Sequence, residues 1–133
     1  GVDHSEISVQ TARKVNRQAI EDGRCVVWQG SVTELIFASS WFDLVTAFET
    51  VYFWPDLAQS FREILRVLKP GGTFLICNEC GGEKEADNAW TKRIPGMTIY
   101  RDTQLQAALE QAGFRSVQIH KNKNGWLCVT AQK

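Results

Sequence analysis

The stretch from 55 to 79, PDLAQSFREILRVLKPGGTFLICNE, limits the possible folds more than any other part of the chain. Leu57, Phe61, Ile64, Leu65 and Leu68 recur at intervals of three and four, which puts them on one face of a helix, with Pro55 near its start. Pro70, Gly71 and Gly72 stop that helix, and TFLICNE follows as a buried strand. A helix that turns at once into a buried strand belongs to a sheet flanked by helices, because parallel strands need a crossover between them.

The residues before it follow the same plan. Gly1, Val2 and Asp3 read as the tail of a strand. Ser5 is placed as an N-cap, and Ile7, Val9, Ala12, Val15, Ala19 and Ile20 fall near helical spacing up to about Glu21, with Gly23 positioned to end the helix. RCVVWQG is a short apolar run closed by Gly30 and reads as a buried strand; a polar loop through ASSW leads to FDLVTAF, a second one. Residues 1–79 therefore run strand, helix, strand, loop, strand, helix, strand, the signature of an α/β fold with a parallel sheet.

The last third differs. GGEKEADNAWTKRIPGM is the most polar stretch and reads as a loop with a short helix over one end of the sheet. DTQLQAALEQAGF is a helix with Asp102 as N-cap and Gly113 as stop. RSVQIH and WLCVTAQ are joined through KNKNG, where Asn124-Gly125 signals a hairpin, so the sheet should end in an antiparallel pair.

At 133 residues with 44% hydrophobic content, the chain suits one domain with a true core, expected to span 1–133. Fifteen basic residues balance fifteen acidic ones, and no Lys/Arg run tracks a phosphate backbone, which argues against nucleic acid. No apolar run approaches the roughly 20 residues that span a bilayer, so no membrane partner is expected and a cytoplasmic location is. Of Cys25, Cys77, Cys80 and Cys128, only CNEC has a metal-like or redox-like spacing, and it lacks a second ligand pair and a helix start; all four read as structural or incidental thiols.

Ligands of open α/β sheets sit at the carboxyl ends of the strands. The candidates there are Asp3 and His4, Ser31 and Val32, and Phe48, Glu49 and Thr50. A carboxylate such as Asp3 suits a ribose because its two oxygens can accept from both vicinal hydroxyls; equally, Asp3 can cap the helix starting at Ser5. His4 can pack on an adenine or remain a solvated turn residue. Glu49 can reach a substrate, or be solvated or paired with a neighbouring cation. The aromatics of VYFWP can line a pocket, although a lid on the core suits them better. There is no Ser/His/Asp array, HExxH or GxxxxGK[ST], so hydrolase, zincin and P-loop readings lack support.

The succession GVDHSEISVQTARKVN, VVWQGSVTEL, FDLVTAFETVYFWPD and FREILRVLKPGGTFLICNE resembles class I S-adenosylmethionine-dependent methyltransferases of the small-molecule type, most specifically in EILRVLKPGGTFLI, and the likeness covers nearly the whole chain. The resemblance implies a Rossmann-like sheet in the strand order 3-2-1-4-5-7-6, mostly parallel with the seventh strand antiparallel. It implies S-adenosylmethionine as cofactor, with Asp3 on the ribose, His4 beside the adenine, Ser31 where many members carry an adenine-contacting Asp, and Phe48 and Glu49 facing the methionine portion and the acceptor. Ser31 replaces a carboxylate with a more weakly bonding hydroxyl. Glu49 is the expected polar helper, Tyr52 and Trp54 the expected pocket walls, and residues 81–97 the expected acceptor lid.

The family's first, central strand and its glycine-rich loop, which precede GVD, have no counterpart in the chain. The expectation is a truncated domain that closes strand two onto strand four or exchanges strands with a second copy as a homodimer. Beside a small-molecule methyltransferase stands the alternative of a non-enzymatic module that folds or dimerises without cofactor. A nicotinamide-dependent dehydrogenase shares the ribose carboxylate but not LKPGGTFLI or the closing hairpin.

Overall fold

Val2–Asp3 forms β1 and leads into α1 (Glu6–Val15), whose N-cap is Ser5: the Ser5 Oγ accepts the Ser8 N–H at 3.3 Å. Glu6 in the first turn and Arg13 and Lys14 in the last complement the helix dipole. The helix expected to run to Glu21 breaks at Asn16, which leaves helical geometry and turns its Nδ2 back to the Ala12 carbonyl at 2.9 Å; α2 (Arg17–Glu21) follows as a separate turn. Only Val9 of the expected inward residues on α1 is buried, whereas Ile7 and Val15 are each 78% exposed. Ile7 lies about 200° around the helix from Val9, so both cannot face one sheet.

The expected strand RCVVWQG shortens to β2 (Trp28–Gln29), parallel to β1 with Val2 opposite Trp28 and Asp3 opposite Gln29. The Val27 carbonyl just before it goes to Arg13, which donates from Nη2 at 2.7 Å and from Nε at 3.0 Å. Val26 and Trp28, on either side of Val27, are exposed rather than buried.

These elements come from a computed structural model, which describes residues 1–84 and 87–133 and gathers them into two compact units, Gly1–Ile36 and Phe37–Lys133. In the second unit, β3 (Phe42–Phe48) runs through a 3₁₀ turn at Val51–Phe53 into α3 (Leu57–Val67), and the chain returns as β4 (Leu68–Asn78), parallel to β3. Asp56 caps α3 by accepting the Gln59 N–H at 2.8 Å. Then come α4 (Asp87–Arg93), α5 (Asp102–Ala112), β5 (Arg115–Lys121) and β6 (Leu127–Gln132). The sheet order is β3-β4-β6-β5, with β6 antiparallel to both neighbours, as the Asn124-Gly125 signal required.

One face of this sheet carries the core. Phe61 and Ile64 of α3, Leu105 and Leu109 of α5, and Phe74, Ile76 and Val129 of the strands are all buried. Phe74 meets the rings of Phe61, Trp54 and Phe114 at centroid distances of 5.7, 6.1 and 5.8 Å. The opposite face holds Leu44, Thr46 and Phe48, all exposed, and the half-buried Leu75, Cys77 and Cys128.

Two local expectations shift. The helix ends at Val67, before Pro70-Gly71-Gly72, and those residues form an irregularity inside β4, where the register jumps from Phe42 opposite Leu68 to Leu44 opposite Thr73. Asp102 is the first residue of α5 rather than its cap: the N-cap is Arg101, whose N–H goes to the Gln104 side chain at 2.8 Å. The Asp102 carboxylate instead pairs with Lys121 at 2.6 Å.

β1 and β2 form a two-stranded sheet of the first unit. A two-residue β1 offers little backbone for a further ladder. Among the described residues, no helix is long and apolar enough to cross a membrane.

Candidate functional site

In the first unit, Asp3 ends β1. Its Oδ1 accepts the Ser5 N–H at 2.8 Å and lies 3.8 Å from His4 Nδ1. The turn-capping contact of Asp3 is therefore present: one oxygen holds the turn before α1, while Oδ2 makes no hydrogen bond among the described residues, and the side chain is 41% exposed. The His4 ring is largely exposed beside it. Ser31 follows β2, but its hydroxyl is shared with Thr33 Oγ1 at 2.7 Å and accepts the Thr33 N–H at 3.2 Å, which turns the chain back toward Glu34. Val32, at the centre of that turn, is half-buried.

In the second unit, Phe48 ends β3 and is 57% exposed. Glu49 follows at φ +57, a left-handed conformation that costs a non-glycine residue about 1–2 kcal/mol. Its backbone N–H donates to the Cys77 carbonyl at 3.0 Å, and its carboxylate accepts the Glu79 N–H at 2.7 Å. Partial desolvation raises the Glu49 carboxyl above its usual range; the Glu79 N–H opposes that shift and the Glu79 carboxylate adds to it.

Tyr52 and Trp54, expected as walls of an acceptor pocket, pack inward. Tyr52 is 2% exposed, and its hydroxyl accepts the Cys80 N–H at 2.9 Å. The single phenolic proton lies within reach of the Cys80 carbonyl at 3.2 Å and of the Glu49 carboxylate. Burial raises the Tyr52 hydroxyl well above the usual phenol range, and the negative field of Glu49 adds to it, so Tyr52 stays protonated. Trp54 stacks on Phe74 with an interplanar angle of 11°. Tyr52 and Trp54 thus pack against the core, while Phe53 between them is 43% exposed.

Sequence reasoning missed what surrounds the end of β4. Asn78 is buried at 2% exposure, and neither its Nδ2 nor its Oδ1 has a hydrogen-bond partner among the described residues. Asp87 is buried as well, and its Oδ2 accepts the Gly82 N–H at 2.9 Å. The signal for Asn78 was its place at the end of the apolar run TFLIC. Part of the expected acceptor lid at 81–97, Glu85 and Ala86, lies outside the described residues. Among the described residues no group of His, Cys, Asp and Glu could hold a metal ion. A groove of about 400 Å³ in the first unit, bordered by Arg13, Arg17, Val26 and Trp28, includes none of the expected residues, and its guanidinium groups are engaged with the Val27 carbonyl and with Glu21.

Residues 1–76 match the family model described as "Methyltransferase domain". Cycloartenol-C-24-methyltransferase 1 of Oryza sativa subsp. japonica is 33% identical over 127 residues, which cover 88% of this chain and 37% of that protein. The uncharacterized methyltransferase YdaC of Bacillus subtilis (strain 168) is 30% identical over 137 residues, covering 100% of this chain and 68% of that protein. A solved chain from the complex of the Haloferax volcanii Trm112 methyltransferase activator with a methyltransferase superposes with a TM-score of 0.89 at 22% identity, over 99% of this chain and 69% of that one. That likeness bears on the fold alone. The chain spans little more than a third of the length of the rice relative.

Proposed function

Because the chain belongs to the S-adenosylmethionine-dependent methyltransferase family, we propose that the protein transfers a methyl group from that cofactor to a small-molecule acceptor. The observation that carries the reading is the Asp3 carboxylate. It stands at a strand end in the matched segment, with one oxygen fixed by Ser5 and the other left to accept a ribose hydroxyl. These residues fit the cofactor's ribose, and the exposed His4 ring beside them offers a flat surface to its adenine. Ser31 and Val32 are the further proposed adenine contacts, with the Ser31 hydroxyl already engaged by Thr33.

When bound, the cofactor supplies a sulfonium methyl group open to in-line attack by a nucleophile. The chain's contribution is positioning and exclusion of water, which explains why no catalytic dyad stands out. Phe48, exposed at the end of β3, is the proposed apolar contact for the methionine portion. Glu49 is the proposed polar helper: Oε1 holds the Glu79 N–H, and its raised carboxyl pKa brings proton acceptance at Oε2 nearer to neutral pH. Tyr52 and Trp54 act from behind as positioning residues. Tyr52 fastens Cys80, and Trp54 anchors its turn on Phe74.

The acceptor class rests on the exposed Phe48 ring and on the relative named for cycloartenol, both of which favour an apolar small molecule. The test is incorporation of label from methyl-labelled S-adenosylmethionine into a panel of apolar acceptors, sterols included. Transfer to at least one acceptor, lost in Asp3→Ala, is expected; transfer unaffected by Asp3→Ala would remove the carrying observation, and no transfer to any acceptor would count against the activity itself.

A further inference from the structure

We propose that Cys77 and Cys128 form a reversible dithiol–disulfide centre that closes by exchange with a small-molecule disulfide. The two residues face each other on antiparallel strands β4 and β6, in direct register, with their sulfurs 3.6 Å apart. Directly opposed antiparallel residues have Cα separations of about 4.5–5.5 Å. That lies inside the span of about 4.4–6.8 Å that a disulfide bridges. Side-chain rotation alone therefore brings the sulfurs to bonding distance, without a shift of either strand.

Access is also provided. Phe74, Ile76 and Val129 point to the face that holds the core, so Cys77 and Cys128, alternating with them, lie on the other face. One register row across the sheet reads Phe48, Cys77, Cys128, His120, with exposed residues at both ends and the two half-buried thiols between. Glu49 donates its N–H to the Cys77 carbonyl at 3.0 Å, so the centre adjoins the strand end carrying the proposed polar helper.

The exchange balances in two steps. One cysteine thiolate attacks the small disulfide, forming a mixed disulfide and releasing one small thiolate. The second cysteine, as its thiolate, attacks the protein sulfur of that mixed disulfide, forms the Cys77–Cys128 bond and releases the other small thiolate. The protein dithiol loses two electrons and two protons, and the small disulfide becomes two thiols. Burial pushes the Cys77 thiol up to about 11, with Cys128 adding to the shift. Thiolate is therefore scarce at neutral pH and exchange speeds up as pH rises. The same high value makes Cys77 a poor leaving group, so the bond, once closed, persists until a strong reductant reaches it.

The test is incubation of the chain with glutathione disulfide at mildly alkaline pH, alkylation of remaining thiols and peptide mapping by mass spectrometry. The peptides holding Cys77 and Cys128 should be joined, with Cys25 and Cys80 alkylated and the link reversed by dithiothreitol. Because the bridge spans 51 positions, the oxidised chain should also melt higher, by on the order of 10 °C. Four unlinked cysteines, or a link through Cys25 or Cys80, would overturn the assignment. Cys128→Ser should leave Cys77 as a single glutathione adduct or alkylated; an internal disulfide in that variant would equally overturn it.

Discussion

The Glu49 carboxylate accepts the Glu79 N–H at 2.7 Å, so the residue that follows β3 fastens the residue that follows β4. Desolvation raises the Glu49 carboxyl above its ordinary 4.5. For an acid raised on folding, the favourable contribution is complete below the unfolded value and is lost as pH rises through the folded one. Glu49→Gln keeps an acceptor for Glu79 and removes the titration. Relative to the parent, its stability should therefore improve as pH rises from the acid range toward neutrality, read from urea unfolding at a series of pH values.

Asn78 buries an amide that no described residue satisfies. Leucine has nearly the same branched shape and no polar atoms, so Asn78→Leu should stabilise the fold by about 1–3 kcal/mol, the penalty attached to an unpaired buried group. A lower urea midpoint in the variant would show that the amide is satisfied in solution.

Gly72 sits where backbone segments crowd: a Cβ there would lie 2.9 Å from the Lys69 carbonyl oxygen and 3.2 Å from that of Asp43. Neither atom belongs to a side chain that can rotate away. Gly72→Ala should cost about 1–3 kcal/mol, seen as a lower Tm, whereas Gly1→Ala meets nothing within 4 Å and should leave Tm unchanged.

Lys121 ties the loop before α4 to the start of α5 through Glu83 and Asp102. The Lys121 ammonium, followed by the Thr103 N–H, holds the Asp102 carboxyl below its ordinary 3.8. Its contribution is present above that value and is lost as pH falls through the folded one. Asp102→Asn should accordingly be less stable than the parent at neutral pH and converge with it in acid. A gap that persists in acid would mean the carboxylate acts through something other than its charge.

The order of elements was legible because two periods carry it: the three-and-four spacing of α3 and the apolar strand runs, punctuated by Pro70-Gly71-Gly72, Gly113 and Asn124-Gly125. Misreadings fell where a side chain competes with the backbone. Asn16 split a helix that its apolar spacing carried through, and Arg13 took the Val27 carbonyl from an expected strand. At the strand ends, residue type pointed to Asp3 and Glu49 but could not disclose their partners, since the Ser5 and Glu79 amides become neighbours only once the turns close. Tyr52 and Trp54 show the reverse: an aromatic cluster in a loop carries no mark of whether it faces a ligand or Phe74. The Cys77–Cys128 pairing was hidden because it depends on the register of β4 with β6 across 51 positions.

Calorimetric titration of S-adenosylhomocysteine into the chain, beside the same titration into Asp3→Asn, tests the central claim most directly. Saturable one-site binding is expected, weakened about 10- to 100-fold in the variant, the worth of a hydrogen bond to a charged group. Absence of heat in the parent chain, or equal affinity in the variant, would contradict Asp3 as the cofactor's ribose anchor.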